Sequence, residues 1–236
     1  MKIDSNLANQ LTERGILPDS VVRHGIRLLL KTRLAEINAQ DCTAMSRHEQ
    51  AFIQMMNDSP VALLADKANE QHYEVPAEFF RTVLGDRLKY SCGLWGEDCD
   101  SLNQSEIDAL QQTAEHAELA DDMDILELGC GWGSLTLWMA QQFPQSRITA
   151  VSNSSSQGNY IKQRASELKL LNISVITADM NDFKTTAVYD RVVSVEMFEH
   201  MRNYAELYQR ISHWLKPGGK FFKHIFVNRM TPYLFE

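Results

Sequence analysis

The sequence predicts an α/β protein: a parallel sheet with helices on both faces, preceded by a helical segment. Three observations predict it. From Asp124 onward, short apolar runs alternate with longer amphipathic ones. The first run, Asp124-Ile-Leu-Glu-Leu128, leads into a glycine turn, Gly129-Cys130-Gly131-Trp132-Gly133, and then a helix from Ser134 to Gln142 closed by Phe143-Pro144. Residues 1–85, in contrast, carry helical spacing.

In chain order, Pro18-Asp19-Ser20 opens a helix whose apolar face is Val22, Ile26, Leu29, Leu30, Leu34 and Ile37. Shorter helices are expected near Ser46–Met56 and Pro60–Asn69, and Pro76 starts another that ends at Gly85. This segment reads either as a cap that buries its stripe on the main domain or as a substrate-side lid. Residues 86–104 form an irregular loop holding Tyr90, Ser91, Cys92, Gly93 and Trp95. Loops rich in aromatics often carry binding. A helix over 105–119 follows, with Ile107, Leu110, Ala114 and Ala117 on one side. Further strands are expected at Arg147–Ser152, Ile173–Thr177, Asp190–Val195 and Lys220–Val227, and helices at Ser155–Lys169 and Tyr204–Leu215. The expected domains are a cap with its covering loop, 1–104, and a sheet-based core, 105–236.

The chain has 236 residues and 44% hydrophobic content, ordinary for a globular protein. Its 23 Lys and Arg against 31 Asp and Glu give a net charge of −8, without the basic cluster that nucleic-acid binding requires. No apolar run approaches a membrane span, and the amino terminus lacks a signal-peptide core. Cys42, Cys92, Cys99 and Cys130 show no Cys-x-x-Cys spacing, which fits a reduced, cytoplasmic setting.

A strand, a glycine turn and a helix start together form a Rossmann-like nucleotide cradle. The spacing here, Glu127-x-Gly129-x-Gly131-x-Gly133, departs from the dinucleotide fingerprint. It resembles the first motif of S-adenosylmethionine-dependent methyltransferases, whose donor carries an amino group suited to Glu127. In an open parallel sheet, ligands lie beyond the carboxyl ends of the strands. Those ends supply Ser152 and Asn153 with Gln157 a turn later, Asp179 and Met180, and Val195 followed by Glu196, Glu199 and His200. Ser152, Asn153 and Gln157 suit ribose hydroxyls, although no acid stands there. Asp179 reads as an acceptor for an adenine amino group or as a turn residue. Glu196-x-x-Glu199-His200 is compared with the inverted zinc motif His-x-x-Glu-His, but a glutamate holds the first place at a strand end, so no metal is expected.

Taken together, Tyr90-Ser91-Cys92, Glu127 to Gly133, Ser152 with Gln157, and Glu196 to His200 resemble the cyclopropane-fatty-acid-synthase-like methyltransferases. Gly15-Ile-Leu-Pro-Asp19, Tyr73-Glu-Val-Pro76 and the run from Glu196 to Tyr204 are similar to its coclaurine N-methyltransferase branch. The resemblance implies a class I methyltransferase fold and S-adenosyl-L-methionine as cofactor. Tyr90 and Ser91 would hold its methionine end, Gly129, Gly131 and Gly133 would pass beneath it, and Glu196, Glu199 and His200 would manage a substrate amine. Cyclopropane synthases usually carry glycine where Glu196 stands, which favours an amine. Cys92, Glu199 and His224 match positions resembling their bicarbonate pocket, which favours an unsaturated lipid. A non-catalytic, donor-binding fragment is the third reading. A carboxyl-terminal strand pair typical of such sheets is absent from these 236 residues, so a fragment is expected, and the assembly is left open to a homodimer.

Overall fold

The computed structural model describes residues 5–37, 42–63, 77–227 and 232. The chain divides into two compact units, one drawn from 1–53 and 227–234 and the other from 54–226. The first holds α1 (Ser5–Glu13), α2 (Asp19–Ile37) and most of α3 (Cys42–Asn57), within which the division falls. Pro18 starts α2, its carbonyl accepting from the amides of Val21 and Val22. The apolar face of α2 has the predicted spacing, and several of its described residues are exposed: Leu29 is 73% exposed and Leu34 57%. No described residue of 9–53 is buried. Periodicity shows that a helix has an apolar face, and says nothing of what lies against it.

Residues 60–63 are not helical, against the expectation for Pro60–Asn69, and 64–69 lie outside the described residues. The reason is a competing set of hydrogen bonds. The Asn181 side chain takes both the amide and the carbonyl of Ala62, and Ala62 bridges antiparallel to Met201. Val61 and Ala62 are buried there beside Phe198 and Met201.

The larger unit contains α4 (Ala77–Val83), α5 (Leu102–His116), β1 (Asp124–Leu128), α6 (Ser134–Gln142), β2 (Arg147–Ser152), α7 (Ser155–Glu167), β3 (Ile173–Thr177), β4 (Tyr189–Val195), a 3-10 turn (Phe198–His200), α8 (Tyr204–Trp214) and β5 (Leu215–His224). Helix α5 begins earlier than expected because Ser101 caps it, its Oγ accepting from the Gln104 amide. All strand pairs are parallel, in the order β3-β2-β1-β4-β5.

Strand side chains alternate between the faces. Leu126, Leu128 and Val192 join Leu207, Ile211 and Trp214 of α8. Ile125, Ile148 and Val193 join Leu110 and Ala114 of α5 and Leu135, Trp138 and Met139 of α6. Glu127 shares the face of Ile125, so it points toward α6.

Strand β5 starts five residues before its expected beginning at Lys220 and ends at His224 rather than Val227. Leu215 already pairs with Tyr189, and Lys220 with Arg191, so residues 216–219 bulge between two paired points. Gly218 has φ +80 there. The helix before it ends at Trp214 for the same reason.

Fixed charge collects at the amino ends of the strands. Lys216 pairs with Asp124 at 2.8 Å and Asp190 at 2.7 Å, and Arg147 with Asp124 at 2.6 Å. Arg147 holds the Asp124 carboxyl below its ordinary range, as Lys216 does that of Asp190. No described helix is long and apolar enough to cross a membrane.

The glycine turn depends on backbone that other residues resist. Gly129, Gly131 and Gly133 have φ of +79, +51 and +80. A Cβ on Gly133 would stand 2.5 Å from Ile161 Cγ1, whereas one on Gly131 would meet nothing within 4 Å. Gly133→Ala therefore adds a clash to left-handed strain and should cost about 2–5 kcal/mol; Gly131→Ala, with strain alone, should cost about 1–2 kcal/mol. Urea titrations of both variants check this, and equal losses would refute the account.

Candidate active site

The expected residues of the sheet lie at or follow the carboxyl ends of β1, β2, β3 and β4, while Tyr90 and Ser91 lie in the loop before α5. Gly129 follows β1, and its missing side chain admits Met197: a Cβ there would lie 2.7 Å from the Met197 Cβ. The segment carrying Glu196, Glu199 and His200 is thereby packed directly on the glycine turn.

Glu127 is buried beneath that turn, and Thr136, in the first turn of α6, donates to its Oε2. Burial pushes its carboxyl up to about 7, the Thr136 hydrogen bond only partly opposing this. The motif identified the acid; Thr136 was missed, although the phase of α6 after the glycine turn would have pointed to it.

At the end of β2, Ser152 is buried, donates to Gln157 Oε1 at 2.8 Å and accepts from the Ser154 amide. Gln157 is 2% exposed, and its Nε2 is buried with no hydrogen-bond partner among the described residues, as is Ser134 Oγ. Asn153 is half-buried between them in sequence. At the end of β3, Asp179 spends Oδ1 on its own turn, accepting from the Asn181 amide at 2.7 Å. Met180 is buried in the core against the α8 side. Orphaned donors beside an open glycine are what a polar ligand lying over the turn requires.

The covering loop is held from three directions. The Glu106 carboxylate, fully buried on α5, accepts from the amides of Gly85, Arg87 and Lys89. The rings of Tyr90, Phe80, Trp132 and Tyr160 touch in series at 5.0, 5.3 and 5.5 Å, joining the loop to the glycine turn and to α7. The Cys92 amide donates to Glu196 Oε1 at 3.2 Å. Lys89 is buried and donates to Ser91 Oγ and to the Cys92 carbonyl, its own pKa lowered by burial. Ser91 is thus engaged with Lys89, and Tyr90 stays 56% exposed. Glu106 and Lys89 were not anticipated; an acid next to the apolar positions of an amphipathic helix was the available signal for the first.

Beyond β4, Val195 pairs with His224 of β5, and the Glu196 amide donates to the His224 carbonyl at 2.8 Å. Glu196 itself has φ +49, a conformation that glutamate seldom takes. Glu199 Oε1 accepts from the Phe226 amide at 2.8 Å, while its Oε2 is buried and unpartnered among the described residues. Burial raises the Glu199 pKa, and Glu196 adds to the rise. His200 is half-buried in the same 3-10 turn, which the Tyr204 hydroxyl ties down by donating to the Phe198 carbonyl at 2.7 Å. On the far side of Phe198, the Lys223 ammonium stands 5.3–5.4 Å from the rings of Phe198, Tyr204 and Tyr208. Cys92 and His224 gather around Glu196, with His224 Nδ1 3.9 Å from its Oε1, rather than around Glu199.

A parallel sheet of this order, a glycine turn after β1 and acidic groups after β4 constitute an α/β methyltransferase fold. The chain belongs to the mycolic acid cyclopropane synthetase family, which it matches over residues 64–233. It is 34% identical to (S)-coclaurine N-methyltransferase of Thalictrum flavum subsp. glaucum over 95% of this chain and 62% of that protein. It is 30% identical to cyclopropane-fatty-acyl-phospholipid synthase of Escherichia coli (strain K12), over 69% of this chain and 41% of that protein. A crystal structure of coclaurine N-methyltransferase bound to N-methylheliamine and S-adenosylhomocysteine (SAH) superposes with a TM-score of 0.86 at 34% identity, covering 91% of this chain and 62% of that one. The chain thus spans about 62% of the length of that relative.

The Glu127 carboxyl gives a test of the site's electrostatics. An acid whose folded pKa exceeds its unfolded value, about 4.3, favours folding at low pH and loses that contribution as pH rises toward the folded value. Glu127→Gln cannot ionise. It should match the parent near about pH 4 and be the more stable of the two near about pH 8. Thermal melts across that range check the sign; a difference independent of pH would contradict it.

Proposed function

We propose that the chain carries the catalytic core of an S-adenosylmethionine-dependent N-methyltransferase acting on a small amine. The observation that carries the reading is the packing of Met197 on Gly129, which sets Glu196, Glu199 and His200 beside the glycine turn. The methyltransferase names of the relatives support it, as does a half-buried carboxylate at 196.

When bound, S-adenosylmethionine supplies an electrophilic methyl group on its sulfonium. Glu127, Gly129, Gly131, Gly133, Ser152, Asn153, Gln157, Asp179, Met180, Val195, Tyr90 and Ser91 would hold it, the buried amide of Gln157 donating to it. Glu127 fits its ammonium: a cation there stabilises the carboxylate that burial disfavours. The amine arrives largely protonated and has no free lone pair. Glu196 and Glu199 attract and orient that ammonium, the unpartnered Glu199 Oε2 accepting from it. His200, of a residue type that titrates near neutrality, takes the proton. Glu106 and the ring series fix the loop in place, so that the reacting groups meet in a set geometry.

The Cys92–His224 pair bears on the lipid alternative. Glu196 Oε1 lies between the Cys92 amide and His224 Nδ1, so this chain offers its own carboxylate there. A charged group in that position suits a cation better than an alkene. All four cysteines are free, which supports a reducing, cytoplasmic setting.

A screen of small amines and of phospholipids with a methyl-labelled donor tests the reading. Label is expected in an amine. Label in lipid with none in any amine would overturn it. His200→Ala should lower turnover about a hundredfold to ten-thousandfold while donor binding by calorimetry is retained; parental turnover would remove His200 from its role.

A further inference from the structure

We propose that Cys92, Glu196 and His224 form a site for a soft divalent cation, Zn²⁺ first among them, and that an ion bound there blocks the amine. The Cys92 thiol, a Glu196 carboxylate oxygen and a ring nitrogen of His224 all lie within 4.8 Å of one another, the one such group among the described residues. It differs from the Glu196–His200 spacing compared above with a zinc motif, because its members come from the covering loop, the end of β4 and the end of β5.

Two of the three are held in place by the backbone. The Glu196 amide donates to the His224 carbonyl, and Val195 pairs with His224, so neither residue can drift along the sheet. The third is brought in by the loop, whose Cys92 amide donates to Glu196 Oε1. Thiolate, imidazole and carboxylate together are a zinc donor set, and three protein ligands leave a fourth position for water. Bond lengths of roughly 2.0–2.3 Å put the donors of a tetrahedral site roughly 3.5 Å apart. The gap to the observed spacing is within the reach of side-chain rotation. Cys92 is exposed and the other two half-buried, so an ion can enter from solvent. Lys89, in the same loop, is turned to Ser91 Oγ and the Cys92 carbonyl rather than to the Cys92 thiol. On coordination the Cys92 thiol gives its proton to solvent and the sulfur bonds the metal; nothing is oxidised or reduced.

The blocking effect rests on the amine reading, since one Glu196 carboxylate cannot hold both an ammonium and a metal. The binding does not rest on it. Chelator-stripped protein is titrated with Co²⁺ and then Zn²⁺. A thiolate-to-cobalt charge-transfer band at one equivalent, bleached by Zn²⁺, is expected. Cys92→Ser should lose the band, and both it and His224→Ala should bind Zn²⁺ about tenfold or more weakly. Zn²⁺ should also raise the melting temperature of the parent and not that of Cys92→Ser, with circular dichroism reporting that the variant is folded. Absence of the band in the parent, or parental Zn²⁺ affinity in both variants, overturns the site. If the band forms but Zn²⁺ leaves label transfer to amines unchanged, the site stands and the blocking is overturned. If no amine is methylated at all, the amine reading fails while the cobalt spectrum still reports on the metal.

Discussion

The crevice exists because the chain winds outward from β1 in both directions. From β1 it goes to β2 and β3 on one side, then crosses back to lay β4 and β5 on the other. The connections after β1 and β4 therefore leave the sheet on opposite faces, and a cleft opens between neighbouring strand ends. Everything that could touch a ligand follows from that parting. The glycine turn forms its floor because only left-handed backbone reverses the chain tightly enough to start α6 at once. Met197 crosses the cleft because Gly129 has no side chain to stop it.

Pre-organisation is the second theme. A loop with two glycines and an exposed tryptophan would be costly to order at the moment of binding. Here its order is set beforehand. Three amides converge on the single buried carboxylate of Glu106, and a line of four aromatic rings runs from the loop to α7. Gly93 allows α5 to come close, since a Cβ would stand 2.1 Å from Ser105 Oγ. The charged pairs, by contrast, sit at the opposite end of the sheet, where Lys216 and Arg147 pair with Asp124.

What could be read from the sequence was whatever depends on local chemistry. β1, β2, β3 and α6 fall where alternation, glycine and proline put them, because short apolar runs and the helix stop at Phe143-Pro144 are written in adjacent residues. The 196–200 segment was legible because it directly follows a strand. What was not legible depends on distant partners. Residues 60–63 stay extended because Asn181, far along the chain, takes the hydrogen bonds that a helix would use. β5 begins at Leu215, ahead of the Pro217-Gly218-Gly219 run, because Tyr189 is there to pair with it. The apolar stripe of α2 showed its period but not its exposure. Cys92 stood out as part of an unusual loop and His224 only through family resemblance, and their convergence on Glu196 belongs to the tertiary structure alone.

The torsion of Glu196 couples robustness to chemistry in opposite senses. Its φ of +49 is one that glycine adopts freely. Replacing the glutamate with glycine relaxes the main chain and removes the carboxylate in a single step. Directed evolution that rewards heat tolerance alone would therefore push position 196 toward glycine and take one of two carboxylates from the segment after β4, so a library at this position has to be sorted on product formed as well as on survival.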